Sequence, residues 1–247
     1  MTLKDEFIKQ GMVLFRYRGQ IPLVLFLLAV PFIWMTDYDA FYPLVLLSLK
    51  VLSVALSVIG FIIRVITIGT TPKGTSGRNR EQQVAESLNT RGIYSCVRHP
   101  LYLGNYLMWI GITAYTINPL FVLIVTLLFC LYYERIMFAE EDFIRKQFGE
   151  EFECWAKNTP AFIPSLKKMK PSEIGFSIKA VLRREYSGMF AAVTAFVFVD
   201  VVRDYFNESS FTLNKTYIYC LGVAAVLALL LRSLKHHTTL LADKDRD

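Results

Sequence analysis

Residues 98–135 read RHPLYLGNYLMWIGITAYTINPLFVLIVTLLFCLYYER, and the fold turns on how this stretch is divided. From 101 to 133 it carries no charge, which makes it too long for one membrane span of about 20 residues. Asn118-Pro119, near its middle, is a turn signal, because a residue preceding proline is driven out of helical geometry. The stretch therefore predicts two antiparallel helices joined by a tight bend. On such a hairpin a residue on one arm meets its mirror image on the other, so His99 faces the neighbourhood of residue 138.

Outward from the hairpin, further apolar runs cover roughly 21–35, 41–63, 189–202 and 217–231, with charge almost confined to the segments between them. With 54% hydrophobic content, the chain predicts an all-α, polytopic membrane helical bundle of about six transmembrane helices plus short cytoplasmic helices. The runs at 21–35 and 189–202 fall short of a full span and draw on flanking residues such as Phe15 to Gln20 and Tyr186 to Gly188. Three segments follow: N-terminal transmembrane helices over 1–70, a core with the hairpin and a cytoplasmic site over 71–170, and an additional helix pair with its tail over 171–247.

Basic residues orient the bundle. Lys4, Lys9, Arg16 and Arg18 precede the first run, six more lie between Arg64 and Arg98, and a third group extends from Arg135 to Arg184. The tail adds Arg232, Lys235, Lys244 and Arg246, which leaves only Arg203 and Lys215 for the remaining outer loop. Six spans with both termini and the polar segments in the cytoplasm satisfy this distribution. The net charge of +6 is then positive-inside bias plus attraction to anionic lipid, and calls for no nucleic-acid partner. Cys96, Cys130, Cys154 and Cys220 share no close spacing and read as free thiols. The charged, Pro-interrupted start reads as a retained segment and not a cleaved leader.

Polar chemistry gathers in three places. The first, TTPKGTSGRNREQQVAESLNTR over 70–91, is either a solvated loop or an anion site in which Lys73, Arg78 and Arg80 join backbone amides near Gly74 and Gly77. In the second, GIYSCVRHPLYLG over 92–104, Pro100 suits the first turn of a helix and places Arg98 and His99 at its N-terminal end. The third holds Glu134, Glu140, Glu141 and Asp142, beyond the second arm of the hairpin. Mirror symmetry brings Arg98, His99, Glu140 and Glu141 together. That set suits S-adenosylmethionine: Arg and His for its carboxylate, Glu for its ammonium or ribose. Gly104 and Gly111 share one helix face, open either to a cofactor or to a neighbouring helix. No metal-ligand spacing is visible. Lys50 and Asp200 are ionisable groups within or near spans, with snorkelling the expectation for Lys50.

The combination of RHPLYLG at 98–104, the Asn118-Pro119 turn, Glu140-Glu141, FGEEF at 148–152 and prolines at 160 and 164 resembles the isoprenylcysteine carboxyl methyltransferase and phospholipid methyltransferase superfamily, over roughly residues 88–165. The resemblance implies that the region around Tyr94, His99, Pro100, Tyr102, Glu140 and Glu141 holds the methyl donor; Gly104 is counted with that site, and Arg98 and Glu141 are the expected catalytic residues. A membrane lipid or lipidated substrate would enter sideways between helices. Where the family shows Arg two residues before the first closing proline, this chain has Asn158, and the preceding aromatic pair ends in Trp155 instead of Tyr. With Lys73, Arg78 and Arg80 nearby in sequence, the acceptor reads as an anionic head group, carboxylate or phosphate. The alternatives are a sterol-type membrane reductase using NADPH, whose C-terminal elements are similar, and a non-enzymatic lipid-binding protein.

Overall fold

The computed structural model describes residues 2–72, 85–208 and 214–243. These residues form eight α-helices: α1 Leu3–Tyr17, α2 Ile21–Trp34, α3 Pro43–Gly69, α4 Pro100–Ala114, α5 Pro119–Phe148, α6 Glu150–Asn158, α7 Ile178–Glu208 and α8 Lys215–His237. The chain is thus a polytopic helical bundle.

The hairpin forms where the sequence places it. Ile117 takes a left-handed conformation (φ 57°), unusual for a β-branched residue and held here by burial and by the hydrogen bond its amide donates to the Ala114 carbonyl at 2.9 Å. Asn118 then caps α5 by accepting from the Phe121 amide at 3.0 Å, while its amide group donates to the Phe32 carbonyl at the end of α2. One side chain therefore closes the bend and ties it to a third helix.

The six expected spans correspond to α2, α3, α4, α5, α7 and α8, but their lengths differ. Among the described residues, only α3, α5, α7 and α8 are long and apolar enough to cross a membrane, with α1 and α2 a fifth crossing if the bent pair counts as one. At 14 and 15 residues, α2 and α4 reach only about 21 to 23 Å, short of a ~30 Å hydrocarbon core. Residues 15–20 do not extend α2 as the short apolar run required, because α1 and α2 meet at 81°. Instead α1 is a separate helix that starts in a Thr2–Asp5 capping box. It lies along the polar end of α5, where the Tyr132 hydroxyl donates to the Leu14 carbonyl at 2.6 Å and Arg135 stacks on Phe7. The run at 189–202 does extend through Tyr186–Gly188, since α7 continues unbroken across it.

Small residues let α3 and α4 approach closely. A Cβ on Gly111 would stand 2.6 Å from both the Ser53 carbonyl oxygen and the Ser57 nitrogen, and one on Gly104 would meet Arg64 Cγ at 2.5 Å and the Gly60 carbonyl oxygen at 2.8 Å. The choice left open for these glycines falls on helix contact, the backbone-to-backbone packing that holds helices together where lipid offers no hydrophobic drive. Helix α7 packs against α2, α3 and α4, and α8 packs on α7. At the bend end of the bundle Asp200 pairs with Arg203 and with Lys50 (3.7 Å), and accepts from the Tyr115 hydroxyl at 2.9 Å. Lys50 therefore turns inward to a carboxylate instead of snorkelling outward. None of the four cysteines forms a disulfide.

Substituting Gly111→Val should force α3 and α4 apart, because the atoms it meets are main chain and cannot rotate away. The expected cost is about 1–3 kcal/mol, seen as a lower unfolding midpoint in detergent. Gly19→Ala, which meets nothing within 4 Å, is the matched control and should change stability by no more than ~0.5 kcal/mol.

Candidate active site

The polar end of the hairpin assembles around the extended segment that precedes α4. There the Arg98 amide donates to the Pro160 carbonyl at 2.9 Å, the His99 amide to the Ala161 carbonyl at 3.2 Å and the Ser165 amide to the Cys96 carbonyl at 2.9 Å. The closing prolines thus lie on a strip of chain that binds the motif backbone and fixes where α4 begins. Pro100 occupies the first turn of α4, where its missing donor costs nothing.

The hairpin arms meet here as mirror symmetry requires. Arg98 donates from Nε and Nη2 to the two oxygens of Glu141, at 2.8 and 3.3 Å, and from Nη1 to the carbonyls of Ala156 and Thr159, both at 2.8 Å. His99 Nε2 lies 2.9 Å from Glu141 Oε1, and its Nδ1 lies 3.6 Å from Glu140 Oε2. The Tyr102 hydroxyl donates to Glu140 Oε1 at 2.7 Å. The two acids are therefore in different states of compensation. Glu141 is paired with Arg98 and His99, whereas Glu140 has one hydroxyl donor and a distant imidazole. Tyr94 lines the same space; burial, reinforced by the charge of Glu140, pushes its hydroxyl up to about 12, so it remains a neutral donor.

These groups face a cavity of about 300 Å³ whose wall also includes Arg18, Arg64, Phe148, Trp155 and Arg184. Trp155 is fixed by donating from Nε1 to the Tyr94 carbonyl at 3.1 Å. A second, mainly apolar cavity of about 330 Å³ lies between α2, α4 and α7, lined by residues such as Leu25, Trp109, Ala192 and Phe198. The two share Arg18, Arg64 and Asn105 in their walls and so adjoin. At this junction Arg64 donates to Glu185 from Nε at 2.8 Å and Nη2 at 2.7 Å, and to Asn105, which in turn donates to the Tyr133 hydroxyl at 3.0 Å.

Of the residues singled out in the sequence, Tyr94, Arg98, His99, Pro100, Tyr102, Glu140 and Glu141 line one cavity. Gly104 does not join them: it faces α3, filled by the stem of Arg64. Asn158 is exposed at the end of α6, its amide donating to the Cys154 carbonyl at 2.9 Å, away from that wall. Lys73, Arg78 and Arg80 lie outside the described residues. Sequence reading missed Arg18, Arg64, Arg184 and Glu185, counting the arginines as orientation charges. The one available signal was Glu185 itself, an acid at the edge of an apolar run, which calls for a buried cation.

Residues 48–151 match the phospholipid methyltransferase family, a segment that includes the acid pair and its partners. Among curated proteins the chain is similar to the nickel-cobalt-cadmium resistance protein NccN of Alcaligenes xylosoxydans xylosoxydans, 31% identical over 128 residues that cover 52% of this chain and 54% of the relative. It is similar to the cobalt-zinc-cadmium resistance protein CzcN of Cupriavidus metallidurans, 35% identical over 121 residues, 49% of this chain and 50% of the relative. A probable protein-S-isoprenylcysteine O-methyltransferase of Oryza sativa subsp. indica is 30% identical over 112 residues, 44% of this chain and 58% of the relative. The chain spans about half the length of the curated relatives it matches. No solved structure matches it. Among the described residues no three His, Cys, Asp or Glu side chains gather as metal ligands. The resemblance read from the motif to the isoprenylcysteine and phospholipid methyltransferase superfamily is supported by these matches.

If Arg98 and Glu141 form one unit, their effects on stability are not additive. Arg98→Gln and Glu141→Gln should each cost about 2–3 kcal/mol, because each strands a half-buried charge. The double variant should cost less than their sum, with a coupling of about 1–3 kcal/mol. Equilibrium denaturation in mixed micelles measures this, and strict additivity would refute the pairing.

Proposed function

We propose, from the superfamily match of residues 48–151 and the geometry of the polar cavity, that this chain is an integral membrane methyltransferase that takes S-adenosylmethionine as donor and methylates the head group of a membrane-resident lipid or lipidated acceptor. The observation that carries the reading is the pair of adjoining cavities: a polar one against Glu140 and Glu141, and an apolar one inside the bundle, with a common wall at Arg18, Arg64 and Asn105. A water-soluble donor and an amphiphilic acceptor need two such compartments meeting at one point.

The residues present fit the donor. Glu140 keeps capacity for an ammonium, since among the described residues its Oε2 has no hydrogen-bond partner closer than the His99 ring at 3.6 Å. Phe148 and Trp155 offer flat apolar surface for an adenine, and Arg184, on the same wall, offers charge for a carboxylate. Arg98 has a different part from the one its position suggested. Its donors are directed to Glu141 and two carbonyls, so it positions the acid pair and leaves carboxylate binding to other residues. When bound, the donor supplies a sulfonium-borne methyl group, which leaves its bonding pair on sulfur and forms a new bond with a lone pair of the acceptor.

The chain's own contribution is alignment and exclusion of water. Tyr102 and His99 hold Glu140 toward the cavity, and the aromatic wall limits solvent entry. An anionic oxygen needs no base; an amine acceptor would require one, and Glu140 is the carboxylate with capacity to take the proton. We assign the acceptor an anionic head group, with both chain termini and the polar cavity on the cytoplasmic side, as the distribution of basic residues supports.

The test is titration of detergent-solubilised protein with S-adenosylhomocysteine and, in parallel, NADPH. Saturable binding of the first and none of the second is expected, with Glu140→Gln weakening it about 10–100-fold, the equivalent of one charge-assisted hydrogen bond. Membranes enriched in the protein, given methyl-labelled donor, should yield a labelled lipid-soluble product. Binding of NADPH alone would transfer the site to the reductase reading.

A further inference from the structure

Arg18 and Arg64 are the two cations that line both cavities, and they differ in how their charge is met. Arg64 is neutralised by Glu185 and also held by Asn105. Arg18 sits at the end of α1, where the chain turns 81° into α2. Its Nη1 donates to the Phe15 carbonyl at 2.9 Å, and its guanidinium lies over the Phe15 ring, 3.6 Å from the centroid. Among the described residues it forms no ion pair with a carboxylate, and its Nε and Nη2 groups have no hydrogen-bond partner. A partly buried guanidinium without a counter-ion at the mouth of an apolar cavity is a binding group in waiting, because its planar fork matches a carboxylate or phosphate.

Resting on the methyl-acceptor reading above, we propose that Arg18 selects the acceptor: it binds the anionic head group, carboxylate or phosphate, of an amphiphile whose single tail occupies the apolar cavity. That cavity runs along α4 from Asn105 to Thr113, about 12 Å at the helical rise, and reaches Thr116 in the bend, so a head group at Arg18 leaves the tail directed toward the bend end. The charge balance calls for this residue. Glu140 is within electrostatic reach of Arg18 and would repel an approaching anion, Glu141 is already matched by Arg98, and Glu185 by Arg64. Of the two cations that line the apolar cavity, Arg64 is paired with Glu185, so Arg18 supplies the positive charge for an anion at the junction. It lies outside residues 48–151, so this selectivity belongs to the chain's own N-terminal helix.

The experiment uses the full chain in neutral-lipid nanodiscs, with empty discs subtracted, titrated with dodecyl phosphate, dodecyl phosphocholine and inorganic phosphate. Dodecyl phosphate should bind at least ~10-fold tighter than the phosphocholine, and inorganic phosphate should show no saturable binding. Arg18→Gln should lower dodecyl phosphate affinity about 10–100-fold and leave the phosphocholine unchanged, while Arg18→Lys restores most of the loss. Both variants should keep the native unfolding midpoint. Unchanged dodecyl phosphate binding in a folded Arg18→Gln, equal binding of the two amphiphiles by the native chain, or tight binding of inorganic phosphate would each overturn the assignment. The S-adenosylhomocysteine titration is separate: its failure, with the Arg18 dependence intact, would strike the methyl-transfer reading and leave the anion site standing.

Discussion

One guanidinium organises the polar end of this protein. Arg98 grips both oxygens of Glu141 and the carbonyls of Ala156 and Thr159, so it joins the foot of α4, the overhang of α5 and the last turn of α6 in a single cluster. An arginine can do this because its donors are fixed in a plane and point in different directions; a lysine, with one flexible ammonium, cannot span the same set. With Glu141 held in place, His99 is fixed between the two acids and Glu140 is left as the carboxylate with bonding capacity to spare. The asymmetry between two adjacent glutamates follows from which of them the arginine reaches.

Much of this was legible in the sequence, and the reasons are geometric. A hairpin has a simple mirror rule, so the Asn118-Pro119 turn alone placed His99 opposite residue 138, close to its partners at 140 and 141. Helix lengths were harder. Apolar runs mark where lipid or protein interior begins but not where a helix bends; the break at residues 18–20 is marked by Gly19 and by Pro22 in the first turn of α2, signals that the count of apolar residues passes over. The glycines of α4 were ambiguous because a small residue opens space without saying what fills it; here α3 does.

The least legible part was the role of the C-terminal helices. Nothing in residues 171–247 resembles the superfamily motif, yet α7 supplies Arg184 and Glu185 to the polar cavity and Ala191, Ala192 and Ala195 to the apolar one. At the other end of the same helix Asp200 and Arg203, with Lys50 and Tyr115, form a second ionic cluster. Charges this deep are costly unless matched: Asp200 is met by Arg203 within α7 and by Lys50 on α3, and Glu185 by Arg64 on α3, so α7 is tied to α3 toward both ends by pairs that hydrophobic patterning cannot register.

Gly104 and Arg64 show how tightly one of these junctions is built. The stem of Arg64 crosses α4 through the space a side chain at position 104 would fill, on its way to Glu185 and Asn105. Even a single methyl group there would push the arginine aside and uncover Glu185, the acid it neutralises. Shortening Arg64 alone does not make room, because the Gly60 carbonyl oxygen stands 2.8 Å from the same point, so position 104 is locked by a side chain and by the main chain of α3 at once.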